Sequence, residues 1–372
     1  ADPADGPRDS PRRLLARLLR RAPDAAARAA PRPDWAPSPV GEDAPDEQLR
    51  HLQRLLAVLG SSSALGDFLA AHPDALAALA PARAPGAPGQ PDARTVLRIA
   101  VTRALGRLGD DDASLDGDSG ADDPDAVARA TSALRTAYRN RLLGIVADDL
   151  TSPDPYQHVE TVGRRMSDLA DAALDAALLI ARRAVGPPAR NTALAVIAMG
   201  KTGARELNYI SDVDVVYVVA PAEGRQVPEE ELLAAGTAIA TELAAVVSST
   251  GAEPPLWPLD TGLRPEGKDG ALVRTLASHV AYYQRWAASW EFQALLKARA
   301  AAGDEALGRA YEQAVAPFIW SASLRDNFVD DARAMRRRVE RASEPRDGQD
   351  RRIKLGPGGL RDVEFTVQLL QL

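Results

Sequence analysis

The chain has 372 residues with a formal net charge of −7 and a pI near 5.3, a length that predicts about two or three domains. Nothing in the acidic balance suggests nucleic-acid binding, since Asp and Glu offset the Arg-rich stretches, and a chain without cysteine holds neither disulfides nor thiolate metal sites. No apolar run approaches the roughly 20 residues of a membrane span, and Arg12, Arg13, Arg17, Arg20 and Arg21 break up any secretory signal, so a soluble, cytoplasmic protein with no membrane partner is expected.

Residues 1–45 are rich in Pro, Ala, Asp and Arg and read as a partly disordered or extended segment. Residues 46–190 read as a helical region. Leu49, Leu52, Leu55, Leu56 and Leu59 recur at helical spacing, and Gly60 with Ser61–Ser63 separates that helix from one carrying Leu65, Phe68 and Leu69. Residues 81–90 form a linker, Asp92 to Gly109 a helix, and Asp110 to Asp125 an acidic solvated loop. Long helices are predicted over 124–149 and 155–186, closed by Gly186-Pro187-Pro188.

Residues 191–272 change character. Leu194, Val196 and Ile197 read as a strand that runs into a turn at Gly200, with a helix after it whose N-terminus suits a phosphate. Asp212 and Asp214 open a second strand continued by Val215, Val216, Val218 and Val219. Glu229 to Ser248 is helical, and Leu256 to Asp260 is a short strand followed by a loop. Residues 273–372 read as helical, over Leu276 to Ala302 and Ala306 to Ala342, with a charged connector at 346–352 and a Gly-rich turn before a final helix. The chain starts without Met and stops in an apolar run, Val367 to Leu372, so a piece of something longer is expected. The fold class is α+β: a small mixed sheet with flanking helices, embedded in a mostly helical chain.

The chemistry centres on Asp212 and Asp214. With a strand period of two, both side chains share one face. Two carboxylates on an otherwise apolar strand repel each other, and a divalent cation removes that repulsion. Nucleotidyl transfer needs positioned phosphates and two oxygen-liganded metal ions more than covalent help. Asp260, in a short apolar segment one helix later, is the candidate third carboxylate. Lys201 beside the turn and Arg264 in Arg264-Pro265-Glu266-Gly267-Lys268 are candidate phosphate cations, or else parts of ordinary charged turns. Arg205 and Glu206 are expected to pair with each other. Asn208 and Ser211 either orient nucleotide or metal water or cap backbone groups. Trp286, Trp290 and Phe292 read as core before base-stacking platform. His51, His72, His158 and His279 form no catalytic constellation and read as solvated or helix-face residues.

Glycine turn, spacer and Asp-x-Asp on a strand is the pattern of polymerase-β-type nucleotidyltransferases. Four motifs in order make the resemblance specific: Gly200-Lys201-Thr202-Gly203-Ala204-Arg205-Glu206-Leu207-Asn208-Tyr209-Ile210-Ser211-Asp212-Val213-Asp214; Leu263-Arg264-Pro265-Glu266-Gly267; Trp290 through Arg299; and Lys354-Leu355-Gly356-Pro357-Gly358-Gly359-Leu360-Arg361-Asp362-Val363-Glu364-Phe365. They resemble the bifunctional glutamine synthetase adenylyltransferase/adenylyl-removing enzymes, and the wording around Glu206-Leu207-Asn208-Tyr209 resembles the N-terminal, AMP-removing half. The resemblance implies phosphorolysis: inorganic phosphate attacks the adenylyl group on a tyrosine of adenylylated glutamine synthetase and gives ADP. It implies Asp212, Asp214 and Asp260 as ligands of Mg²⁺ or Mn²⁺, and Gly200, Lys201, Ser211, Arg264 and Glu364 around phosphate or nucleotide. A PII signal protein is a possible partner. Thr202, Ala204 and Thr261-Gly262 depart from the family's wording without removing a carboxylate. The alternatives are the adenylyl-attaching activity and a non-catalytic nucleotide- or regulator-binding module.

Overall fold

The computed structural model describes residues 44–80, 91–106, 125–324, 328–342, 353–354 and 358–372. The expectations for 1–43, 81–90, most of the acidic loop and the connector at 346–352 lie outside the described residues, as do Leu355 to Pro357 of the Gly-rich turn. Helices α1 (Ala44–Ser61) and α2 (Ser63–Ala71) meet at Ser62, whose side chain accepts a hydrogen bond from Leu65 N at 3.2 Å. That satisfies one of the N–H groups left open at a helix start. Asp92 does the same for α3 (Ala93–Ala104) and Asp154 for α5 (Pro155–Val185), with α4 (Ala126–Leu150) between them. Gly186, at φ +75°, ends α5.

Strand β1 (Thr192–Ala198) pairs antiparallel with β2 (Val213–Pro221). The other edge of β2 is shared by two parallel neighbours, β3 (Leu259–Asp260) at its start and β4 (Val273–Thr275) further along. Helix α6 (Glu229–Ser248) makes the crossover to β3. Strand β5 (Arg299–Gly303) adds antiparallel to the free edge of β1.

Both faces of this sheet are buried. Leu194, Val196, Val215, Tyr217 and Val219 share one core with α3, α4, α5 and α6. Ala195, Ile197, Val216 and Val218 face a second core formed by α7 (Leu276–Arg285), α8 (Ser289–Leu295) and α9 (Glu305–Trp320). The near-continuous apolar run of β2 follows from this double burial. A smaller core joins α1 and α2 to α4. Helices α10 (Phe328–Ala342) and α11 (Leu360–Gln371) follow.

Several expectations are corrected. Gly200 opens a single helical turn, Gly200–Gly203, not a longer helix. The run Leu276–Ala302 is not one helix. It breaks after Arg285 and again after Leu295, and its last residues form β5, because the open edge of β1 takes a strand partner there. The run from Ala306 breaks after Trp320. Helix α6 is, by length and composition, apolar enough to cross a membrane, contrary to the reading that no run approaches that length. Its stripe of Leu232, Ile239, Leu243, Val246 and Val247 is instead buried in the first core. His279 is 1% exposed rather than solvated, and burial lowers its pKa to about 4.

One buried cation closes the end of α6. Arg135, 2% exposed on α4, donates to Val246 O at 2.7 Å, Ser249 O at 2.7 Å and Glu253 O at 2.8 Å. Arg135→Leu leaves those carbonyls without these partners and is expected to cost about 3 kcal/mol. Urea unfolding should show a lower midpoint with an unchanged slope; an unchanged midpoint would contradict this role.

Candidate metal centre

The site is assembled where β1 leaves the sheet and β2 enters it. Met199 N donates to Asp214 O at 2.8 Å, so the turn after β1 is tied to the first residues of β2. Gly200 follows at φ +52°, and a Cβ there would stand 2.2 Å from Asp214 Oδ2. Only glycine provides both the left-handed backbone and the room for that carboxylate.

Even-numbered positions of β2 point toward the second core, and Asp212 and Asp214 continue that series at the solvent end of the strand. Val213 and Asp214 pair in parallel with Leu259 and Asp260, which sets Asp260 beside Asp214 on the same face. Asp260 Oδ1 accepts from Gly262 N at 2.7 Å, a turn that fixes the carboxylate's orientation. One carboxylate oxygen from each of Asp212, Asp214 and Asp260 lies within 4.8 Å of the others. Two unit charges at such a distance repel by roughly 3–4 kcal/mol at an effective dielectric near 20.

The electrostatics register that crowding. Burial first, and then the charges of Asp212 and Asp260, raise the pKa of Asp214 to about 6 against the opposing charges of Lys354 and Lys201. An all-oxygen, all-carboxylate donor set that is strained without a cation suits a hard divalent ion such as Mg²⁺ or Mn²⁺.

The other sequence-derived candidates divide. Lys201 lies in the turn, half-buried, with its charge acting on Asp214. Ser211 Oγ lies 3.5 Å from Asp212 Oδ1, at the limit of a hydrogen bond. Arg264 is committed to its own loop: it donates to Thr261 O at 2.9 Å, Thr261 Oγ1 at 2.9 Å, Gly270 O at 3.0 Å and Lys268 O at 2.9 Å. Four of its five N–H groups are thereby used, so it shapes the segment after Asp260. Glu364 sits half-buried in the second turn of α11.

Arg205 and Glu206 do not pair with each other. Arg205, at φ +60°, bonds Asp168 of α5, and Glu206 bonds Lys297 at 3.1 Å. The aromatic trio splits, with Phe292 1% exposed in the core and Trp286 77% exposed. Glu291 is a structural acceptor, bonded by Tyr282 OH at 3.0 Å and Ala288 N at 2.9 Å.

Two contributions escape sequence reasoning. Lys354 brings positive charge to Asp214 from 140 positions downstream. Arg299 grips both the glycine turn and Asp171, a buried carboxylate in the apolar stretch Leu169 to Leu174 of α5. That lone charge in an apolar run was a readable signal for a buried ion pair.

A raised carboxylate pKa has a definite sign. Between pH 4 and 6 the folded state binds the proton that the unfolded state, at the ordinary value of 3.8, has released. Stability from Asp214 is therefore present below pH 4 and lost as pH rises through about 6. Asp214→Asn is expected to stabilise the metal-free protein at pH 7.5 by about 1–2 kcal/mol, a two-unit shift discounted for partial exposure, and to abolish any Mg²⁺-induced rise in melting temperature. A variant less stable than wild type at pH 7.5 without metal would contradict this electrostatic account.

Comparison with known proteins gives the chain a family. Residues 52–314 match the family described as glutamate-ammonia ligase adenylyltransferase, and residues 333–372 match the family described as GlnD PII-uridylyltransferase. The bifunctional glutamine synthetase adenylyltransferase/adenylyl-removing enzyme of Bifidobacterium longum (strain NCC 2705) is 48% identical over 327 residues, covering 86% of this chain and 29% of that protein. The enzyme of the same description from Mycolicibacterium smegmatis is 50% identical over 325 residues, covering 86% of this chain and 29% of its own length. That from Leifsonia xyli subsp. xyli is 46% identical over 330 residues, covering 86% and 31%. The chain thus spans less than a third of the length of these relatives. The family match extends over most of its residues, and the chain belongs to the glutamate-ammonia ligase adenylyltransferase family.

Proposed function

We propose that this chain carries the adenylyl-removing activity: metal-dependent phosphorolysis of the AMP on a tyrosine of adenylylated glutamine synthetase. The convergence of Asp212, Asp214 and Asp260 beside a glycine turn supports metal-dependent nucleotidyl transfer, and the motif wording at Glu206-Leu207-Asn208-Tyr209 supports removal as its direction. The three aspartates would hold Mg²⁺ or Mn²⁺, which would supply neutralisation of phosphate charge. Lys201 and Lys354 supply fixed positive charge near the carboxylates. An oxygen of inorganic phosphate forms a bond to the adenylyl phosphorus as the bond from phosphorus to the tyrosine oxygen breaks. The products are ADP and a phenolate, which takes a proton from water. Glu364 belongs to this reading as part of the segment that follows Lys354, Arg264 as the residue that shapes the loop after Asp260, and Ser211 as a polar neighbour of Asp212. The setting is cytoplasmic, and the effect is to return the synthetase to its unmodified state and so to regulate nitrogen assimilation.

The attaching reaction is the second reading, favoured by the description of the matched family, which names adenylyl transfer. The same carboxylates serve either direction, so the assay must separate them. Incubation with adenylylated synthetase, phosphate and Mg²⁺ is expected to release ADP in proportion to phosphate, with Asp212→Asn slower by about 100-fold or more. No phosphate-dependent ADP from wild type, or labelling of unmodified synthetase from ATP, would overturn the removal reading.

A further inference from the structure

The glycine turn is held from the edge strand of the sheet by a cation whose hydrogen bonds go to none of the three aspartates in the metal trio. Arg299, at the start of β5, donates from Nη1 to Asp171 Oδ2 at 2.6 Å and from Nη2 to Asp171 Oδ1 at 3.0 Å, a two-pronged pair. Nη2 also reaches Thr202 O at 3.0 Å and Nε reaches Gly203 O at 3.2 Å, the carbonyls of the turn itself, while Nη1 reaches Ala300 O at 3.3 Å. Asp171 is 6% exposed on α5, where a carboxylate without a partner would be costly.

The same turn is packed against α5 and the segment before β5 with little slack. A Cβ on Gly203 would stand 1.9 Å from Lys297 O, and one on Gly163 of α5 would stand 3.3 Å from the Cα of Glu206. Ser167 Oγ on α5 accepts from Leu207 N at 3.3 Å. Glu206 and Arg205 are pinned by Lys297 and Asp168 in turn. The far side of the turn is Gly200, seated against the carboxylate of Asp214.

We infer that Arg299, held by Asp171, is a positioning residue: it locks the Gly200–Gly203 turn onto α5 and thereby sets the place of Asp214 in the metal site. The inference rests on the metal-site reading above, and on the removal reaction only for its kinetic arm. Arg299→Lys keeps a charge for Asp171 but has no planar fork to span both carbonyls and carboxylate. Loss of partners outside the ligand set typically weakens metal binding by about 10–100-fold.

The test uses the full chain and Mn²⁺ as the probe, with bound metal read by electron paramagnetic resonance. Arg299→Lys is expected to weaken Mn²⁺ binding by about tenfold and to lower kcat, with KM for adenylylated synthetase and the melting temperature nearly unchanged. Asp171→Asn, which leaves the turn's two carbonyl contacts in place, is expected to give a smaller loss of the same kind. Arg299→Ala should recover part of its Mn²⁺ affinity when guanidinium is added. Wild-type Mn²⁺ affinity in folded Arg299→Lys would overturn the inference, as would losses of affinity and kcat that only follow the fraction unfolded. Should Arg299→Lys fail to fold, the Asp171→Asn and guanidinium arms decide alone, and wild-type affinity in Asp171→Asn with no guanidinium rescue would overturn it. The Mn²⁺ arm uses no adenylylated substrate, so a failure of the removal reading alone, seen as no phosphorolysis by wild type, leaves it standing.

Discussion

Mutual repulsion among three carboxylates is the constraint that the rest of this structure answers to. Asp212, Asp214 and Asp260 are brought within 4.8 Å of one another at the end of an apolar sheet, and each is more stable apart than together without a cation. The fold holds them by backbone means. Parallel pairing of β2 with β3 fixes Asp260 against Asp214, the hydrogen bond from Met199 to Asp214 fixes the turn, and Gly200 gives the carboxylate its space. The sheet behind that end is buried on both faces. The donor set is all carboxylate oxygen, the kind that hard divalent cations take.

Helix α5 is the element that joins this site to the rest of the chain. Its apolar side is continuous with the first core, along Leu169, Ala170, Ala173, Leu174 and Ala177. Its polar positions Ser167, Asp168 and Asp171 reach the loop from Thr202 to Leu207, directly or through Arg299. The helical part of the chain and the sheet share one apolar core rather than meeting across a linker. Helix α5 is therefore bonded, directly and through Arg299, to the turn on which Asp214 rests.

Much of the site was legible in the residues. The period of two placed Asp212 and Asp214 on one face, and a charge in the apolar segment Leu256 to Asp260 marked the third carboxylate. Local chemistry was readable in the serines 61–63, of which Ser62 caps the second helix. What remained hidden depends on distant contacts. Arg264 looked like a phosphate cation because nothing local reveals that its guanidinium closes its own loop. Arg205 and Glu206 looked like a pair, but the left-handed backbone at Arg205 turns it toward α5. Arg299 to Gly303 carried an alanine-rich helical composition, and the open edge of β1 overrode it. The charge of Lys354 acts on Asp214 across a long sequence separation, which no spacing rule foretells.

The central claim is that these three aspartates form a divalent-metal centre. Crystals soaked in Mn²⁺ and measured for anomalous scattering test it most directly. The account predicts an anomalous peak bounded by the carboxylates of Asp212, Asp214 and Asp260, absent from crystals of Asp214→Asn. A wild-type map with no peak among these residues at saturating Mn²⁺, or with its peak at a different acidic group, would contradict it.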